Sequence, residues 1–109
     1  MIQDRAPHGA PTDFVFRGIA LLADNRDTLD RYVEHGLPVG DFLHACIDNN
    51  LSLAVAHADE TNLPQLAAIT GYLYNECPSG CWGKAGAHDA WVKARSEELR
   101  KANEPNTES

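Results

Sequence analysis

Val39-Gly40-Asp41-Phe42-Leu43-His44-Ala45-Cys46-Ile47-Asp48-Asn49-Asn50 carries the clearest periodicity in the chain. Val39, Phe42, Leu43, Cys46 and Ile47 fall at i, i+3, i+4, i+7 and i+8, while Asp41, His44 and Asp48 lie on the other side. That is the pattern of an amphipathic helix with one apolar stripe. Asn49-Asn50 ends it, because asparagine tolerates the left-handed conformation.

Working outward, the neighbouring segments repeat the same period. Upstream, Asp27 or Thr28 caps a short helix that carries Leu29, Tyr32 and Val33 inward. Gly36 stands at its left-handed C-cap and Pro38 follows. Downstream, Leu51, Ala54, Val55 and Ala58 form the stripe of another short helix. Asp59 to Asn62 make a polar break. Asn62 then caps a helix from about Leu63 to Glu76, with Pro64 in its first turn. Leu66, Ile69 and Leu73 face inward there, and Gly71 marks a possible close approach. Residues 77–83 (Cys-Pro-Ser-Gly-Cys-Trp-Gly) form a loop. A last helix spans about Ala87 to Ala102, with Trp91, Val92 and Leu99 inward.

The segment from Asp13 to Ala23 is ambiguous. Phe14-Val15-Phe16 suits a strand, but the following Ala/Leu run tips the reading to helix. The expectation is an all-α protein: a compact bundle of five or six short helices over residues 13–102. A flexible arm over 1–12 precedes it and a disordered tail over 103–109 follows.

With 109 residues there is room for one domain and none for a large barrel or a full doubly wound nucleotide-binding fold. The net charge of −7 argues against direct nucleic-acid binding and against a polybasic membrane anchor. The excess is local: from Asp24 to Glu60 there are eight acids against Arg26 and Arg31. Three cysteines, an odd number, do not read as a disulfide framework. The opening residues lack the apolar core of a signal peptide, and no stretch is long enough to span a bilayer. A cytoplasmic protein with reduced thiols is the expectation.

Residues 31–92 carry a recognisable order of motifs. It runs through Tyr32-Val33-Glu34-His35-Gly36-Leu37-Pro38, Asp41-Phe42-Leu43-His44-Ala45-Cys46 and Asp48-Asn49-Asn50-Leu51. It continues through Ala58-Asp59-Glu60-Thr61-Asn62, Tyr72-Leu73-Tyr74-Asn75, Pro78 and Cys81-Trp82-Gly83. This resembles a group of small proteins encoded by bacteriophages and prophages, over a little more than half of the chain. The resemblance implies an accessory protein of a phage or mobile element in the bacterial cytoplasm. Such a protein works by contact with a host protein, including those of antiviral defence. It implies no catalytic residue.

Several clusters carry chemistry. Cys77 and Cys81, with His88 seven residues on, offer three zinc ligands where a structural site takes four. The fourth would come from His57, Cys46 or His44, although Cys46 already belongs to an apolar helix face. The three-residue gap between Cys77 and Cys81 departs from the usual redox motif. Asp41, His44 and Asp48 share a helix face, where a carboxylate can orient an imidazole as a base. With no nucleophile or phosphate-cradling loop beside them, the plain reading is a solvated face. His57, Asp59 and Glu60 receive the same reading. No Walker loop, dinucleotide fingerprint or zincin motif is present. The chain is therefore expected to be no enzyme and to need no cofactor.

What remains is surface. Asp27, Asp30 and Glu34 line the outside of one expected helix, Asp41 and Asp48 that of the next. Together they suit a partner with a basic surface, such as a host nucleic-acid-binding protein. Trp82 either pins its loop by packing or anchors an interface. The expectation is an acidic accessory protein acting by protein–protein contact through Asp27, Asp30, Glu34, Asp41, Asp48 and Trp82. The alternatives are a zinc-stabilised helical module built on Cys77, Cys81 and His88, and a self-associating structural protein. The oligomeric state is open.

Overall fold

The computed structural model describes residues 10–103. A two-stranded antiparallel hairpin, β1 (Pro11–Phe16) and β2 (Ile19–Leu22), leads into five helices. These are α1 (Ala23–His35), α2 (Asp41–Ile47), α3 (Leu51–His57), α4 (Leu66–Glu76) and α5 (Ala87–Asn103). Short 3-10 turns at Leu63–Gln65 and Ser79–Cys81 precede α4 and follow it. The protein is mostly helical, as expected, but it is not all-α.

The correction lies at the N-terminus, where the helix expected over 13–23 is a hairpin. Val15 pairs with Ala20 and Phe16 with Ile19 across a two-residue turn. Arg17 and Gly18 both have positive φ, 52° and 84°, as tight hairpin turns require. Thr12, Phe14 and Phe16 are half-buried, while Pro11, Asp13 and Val15 are exposed, so the strand alternates with period two. The inward side chains meet α4. The Phe14 ring stands edge-on to Tyr72 at 5.1 Å. Phe16 lies over Gly71, where an added Cβ would sit 2.6 Å from its ring. The close approach expected at Gly71 is real, and the aromatic run supplies its partner. Pro11 and Thr12 belong to this strand rather than to a loose arm. Residues 1–9 and 104–109, which carry the rest of the expected arm and tail, lie outside the described residues.

Helix α1 starts at Ala23, four residues before the expected cap at Asp27 or Thr28. Distant groups, one side chain and one backbone carbonyl, satisfy the amides at its start. The Leu22 N–H donates to Gln65 Oε1 at 2.8 Å, and the Ala23 N–H donates to the Ala10 carbonyl at 2.8 Å. Gln65 is buried. Its Nε2 donates to the Ala20 carbonyl at 2.8 Å, and its Oε1 also accepts from Asn25 Nδ2 at 3.3 Å. One amide thus holds β2 and the head of α1 against the turn before α4.

The C-terminus of α1 is as expected. Gly36 has φ 69°, and its N–H donates to the Tyr32 carbonyl at 2.9 Å. Asn49 takes the left-handed conformation after α2, with φ 60°, and Asn50 Oδ1 accepts from the Leu53 N–H to cap α3. Asp59 Oδ1 accepts from the Asn62 N–H, closing the polar break before the Leu63–Gln65 turn.

Tyr32 sits at the centre of the core. It is fully buried, and its hydroxyl donates to the Cys81 carbonyl at 2.8 Å. Trp91 Nε1 donates back to the Tyr32 carbonyl at 3.0 Å. Leu21, Leu29, Ile47, Ile69 and Leu73 complete the centre. Two expected stripes fall short of burial. In α3 only Ala54 is buried, while Leu51, Leu53 and Val55 are exposed. In α5 Trp91 and Val92 are half-buried, but Leu99 is exposed with its neighbours from Ser96 onward.

Candidate functional site

Two arrangements of polar side chains stand out. The first is a groove between α1 and α4. Asp30, Val33 and Glu34 come from α1, where i, i+3 and i+4 share a face. Tyr72 and Glu76 come from α4 one turn apart, and Cys77 closes the end. The groove encloses about 240 Å³, and its lining carries three carboxylates and no Lys or Arg. Tyr72 donates from its hydroxyl to Asp30 Oδ1 at 2.5 Å. Burial, and then that bond to an anion, push the Tyr72 phenol up to about 12. The guanidinium of Arg26 lies 5.5 Å from the Tyr72 ring centre and donates to Asp13 at 2.7 Å. It therefore bridges the hairpin and Tyr72 in the groove wall, where its charge opposes the rise in the Tyr72 phenol.

Cys77 and Cys81 sit together beside this groove. Their thiols share a hydrogen bond, which raises Cys77 above its ordinary value and lowers Cys81 below it. Cys81 is wholly buried, so its thiol is shielded from reagents. Cys46 is half-buried, and burial pushes its thiol up to about 11.

The second arrangement joins the end of α2 to the start of α5. Asp48 Oδ1 accepts from the His88 N–H at 2.9 Å, satisfying an amide in the first turn of α5. The rings of His44 and His88 stack with centroids 3.9 Å apart, and His88 stacks in turn on Tyr32 at 5.4 Å. The Val39 N–H donates to His88 Nε2 at 3.2 Å. The ring proton is therefore on Nδ1, which donates to Asp89 Oδ1 at 2.8 Å. That bond holds the Asp89 carboxyl below its ordinary value. His44 Nε2 lies 3.2 Å from Asp48 Oδ2 and 3.8 Å from Asp89 Oδ1.

The residues singled out from sequence divide between these places. Asp30 and Glu34 line the groove; Asp27, Asp41, Asp48 and Trp82 do not. Asp27 and Asp41 are exposed. Asp48 is turned into the contact between α2 and α5, which makes it a poor surface residue. Trp82 is half-buried against the core, and its ring meets Tyr74 edge-on at 6.4 Å. His88 joins His44 and Asp89, and both its ring nitrogens are engaged away from Cys77 and Cys81. Among the described residues, His44, His88 and Asp89 form the group whose ligand atoms all lie within 4.8 Å of one another. Glu76 and Asp89 are the additions that sequence reasoning missed. Glu76 is one turn from Tyr72, but its closeness to Asp30 and Glu34 exists only once α1 and α4 meet.

In comparison with known proteins, no family model, no curated protein and no solved structure matches the chain. Among the described residues, no helix is long and apolar enough to cross a membrane.

Proposed function

We propose that this chain is a binding protein, not an enzyme, and that the α1–α4 groove receives a basic side chain from a protein partner. The observation that carries the reading is the lining of the groove: Asp30, Glu34 and Glu76 around Tyr72 and Val33. Three carboxylates suit a guanidinium or ammonium group, and the apolar wall suits its methylene stem. The chain's charge of −7 steers a basic surface toward it. In this reading the chain is an accessory protein of a mobile element. Its partner is a host protein with a basic surface in the bacterial cytoplasm, such as a nucleic-acid-binding or defence protein.

The test is affinity capture from a bacterial lysate with the wild type and with Asp30→Asn/Glu34→Gln/Glu76→Gln. The expected result is a basic protein retained by the wild type, released by raised salt and absent from the variant. A partner that binds both equally sinks the groove reading.

A second reading, self-association, draws on α3, where Leu51 is 69% exposed beside exposed Leu53 and Val55. Sedimentation across a concentration series checks it. A monomer throughout removes it.

A further inference from the structure

We propose that Cys77 and Cys81 form a site of thiol–disulfide exchange, in which a small disulfide entering from the acidic groove reacts at Cys77 and Cys81 then closes an internal Cys77–Cys81 disulfide. The site does not depend on the groove receiving a basic partner.

The two cysteines differ in access and meet at their sulfurs. Cys77 follows α4, where its N–H donates to the Leu73 carbonyl at 3.3 Å, and it lines the groove with Asp30, Glu34 and Glu76. Pro78 continues in extended backbone, with φ −61° and ψ 143°, and the Cys81 N–H donates to the Pro78 carbonyl at 3.2 Å. That turn carries Cys81 into the core, against which Cys77 packs. Cys81 has no exposed surface, and the Tyr32 hydroxyl holds its carbonyl at 2.8 Å. Both thiols are free, and they share a hydrogen bond. Exchange needs contact between sulfurs rather than a particular sequence gap, and the turn supplies that contact.

A reagent from solution meets Cys77, because Cys81 is shielded. Cys77 Sγ attacks one sulfur of a small disulfide RSSR. The reagent's S–S bond breaks, and the departing RS⁻ takes up the proton that Cys77 gave up. Cys81 Sγ then attacks Cys77 Sγ in the mixed disulfide. The Cys77–SR bond breaks, and the second RS⁻ leaves with the Cys81 proton. Two protein thiols are oxidised to one disulfide, and one RSSR is reduced to two RSH. The shared hydrogen bond, and then burial, hold the Cys77 thiol up, so the first step is the slow one. The same bond lowers Cys81, which favours the second step. Asp30, Glu34 and Glu76 choose the reagent, since a carboxylate-lined groove gathers cations and repels anions. The class of reagent is therefore a cationic disulfide, such as that of a small amino thiol.

In the test, the reduced full-length chain is mixed at low salt with cystamine, hydroxyethyl disulfide or oxidised glutathione, which are cationic, neutral and anionic. Free thiols are capped in denaturant, and the products are read by intact mass and peptide mapping. The expected product is one internal disulfide joining Cys77 to Cys81, with Cys46 capped, and it reverses with dithiothreitol. Relative to their rates with a small free thiol, cystamine should outpace oxidised glutathione by at least about tenfold, and raised salt should close that gap. Cys81→Ser should accumulate the mixed disulfide at Cys77, and Cys77→Ser should form neither product. The linkage in the wild type is read without either variant, so a variant that fails to fold leaves the test intact. No internal disulfide in the wild type, a mixed disulfide that persists at Cys77, or a linkage through Cys46 overturns the proposal. So do equal relative rates for the three reagents, because they remove entry through the groove.

Discussion

Gln65 does with one side chain what a cap residue and a turn usually do with two. Its amide satisfies the Leu22 N–H, the Ala20 carbonyl and Asn25 Nδ2. Gln65→Leu removes the partner of the half-buried Leu22 N–H and Ala20 carbonyl, while Asn25 Nδ2 keeps its bond to Asn62 Oδ1 at 3.2 Å. We expect a loss of about 2 kcal/mol, read as a lower urea midpoint with an unchanged slope. Gly36 is a second sensitive position. An alanine there would hold φ 69° at a steric cost and drive its Cβ into the Arg95 side chain. Gly36→Ala should lose about 2 kcal/mol in the same measurement. Tyr72 sets a pH response. Its phenol is raised by burial first and by Asp30 second, so the folded state keeps a proton that the unfolded state releases from pH 10 upward. The folded state then binds more protons, and stability falls as pH rises. The contribution is whole below pH 10 and is lost as pH passes through about 12. Tyr32, raised chiefly by burial, acts in the same direction. Melting temperatures from pH 8 to 12 should fall across that window, and less steeply in Tyr72→Phe.

At the scale of the element, the hairpin depends on α4 as much as on its own pairing. A two-stranded sheet is marginal alone. Here Phe16 lies on Gly71 and Phe14 on Tyr72, so α4 supplies the face it lacks. Gly71→Val should lift the hairpin off α4 and cost about 1–3 kcal/mol, as overpacking does. Hydrogen exchange should rise across β1 and β2 before it rises in α5. This dependence explains why the hairpin was hard to read from the sequence. Leu21, Leu22 and Ala23 favour helix locally, and only the contact with Gly71 and the bond from Gln65 decide otherwise. The helix Asp41–Ile47 was legible because its stripe is local and Asn49-Asn50 marks its end. The stripe of α3 was legible as a pattern but not as burial, since a seven-residue helix beside α2 buries only Ala54.

On the scale of the whole molecule, charge and position separate. The acidic middle of the chain was plain in the composition, and Asp30 and Glu34 from it do line the groove. Asp48 belongs to the same run of acids yet works inside, at the contact of α2 with α5. Charge density alone could not distinguish the two uses, because that needs the partner helix. The same holds for His44 and Asp48. Their spacing was visible, while Asp89 comes within 3.8 Å of His44 only when α5 packs on α2. For the proposed partner, affinity should fall steeply between low and physiological salt, because exposed carboxylates act over roughly a Debye length of 8–10 Å. Surface plasmon resonance at several ionic strengths reads this, with the association rate changing more than the dissociation rate.

The reach of Gln65 also bears on synthesis. The Leu22 amide and its acceptor are 43 residues apart in the chain. At about 5–20 residues per second, the ribosome needs roughly 2–9 s to add that much polypeptide. Through that interval the nascent hairpin has neither its clasp nor the α4 surface that supports it. Phe14 and Phe16 are therefore displayed to the cytosol of the producing cell for seconds. That makes the hairpin, residues 11–22, the segment that a chaperone sampling emerging chains should meet.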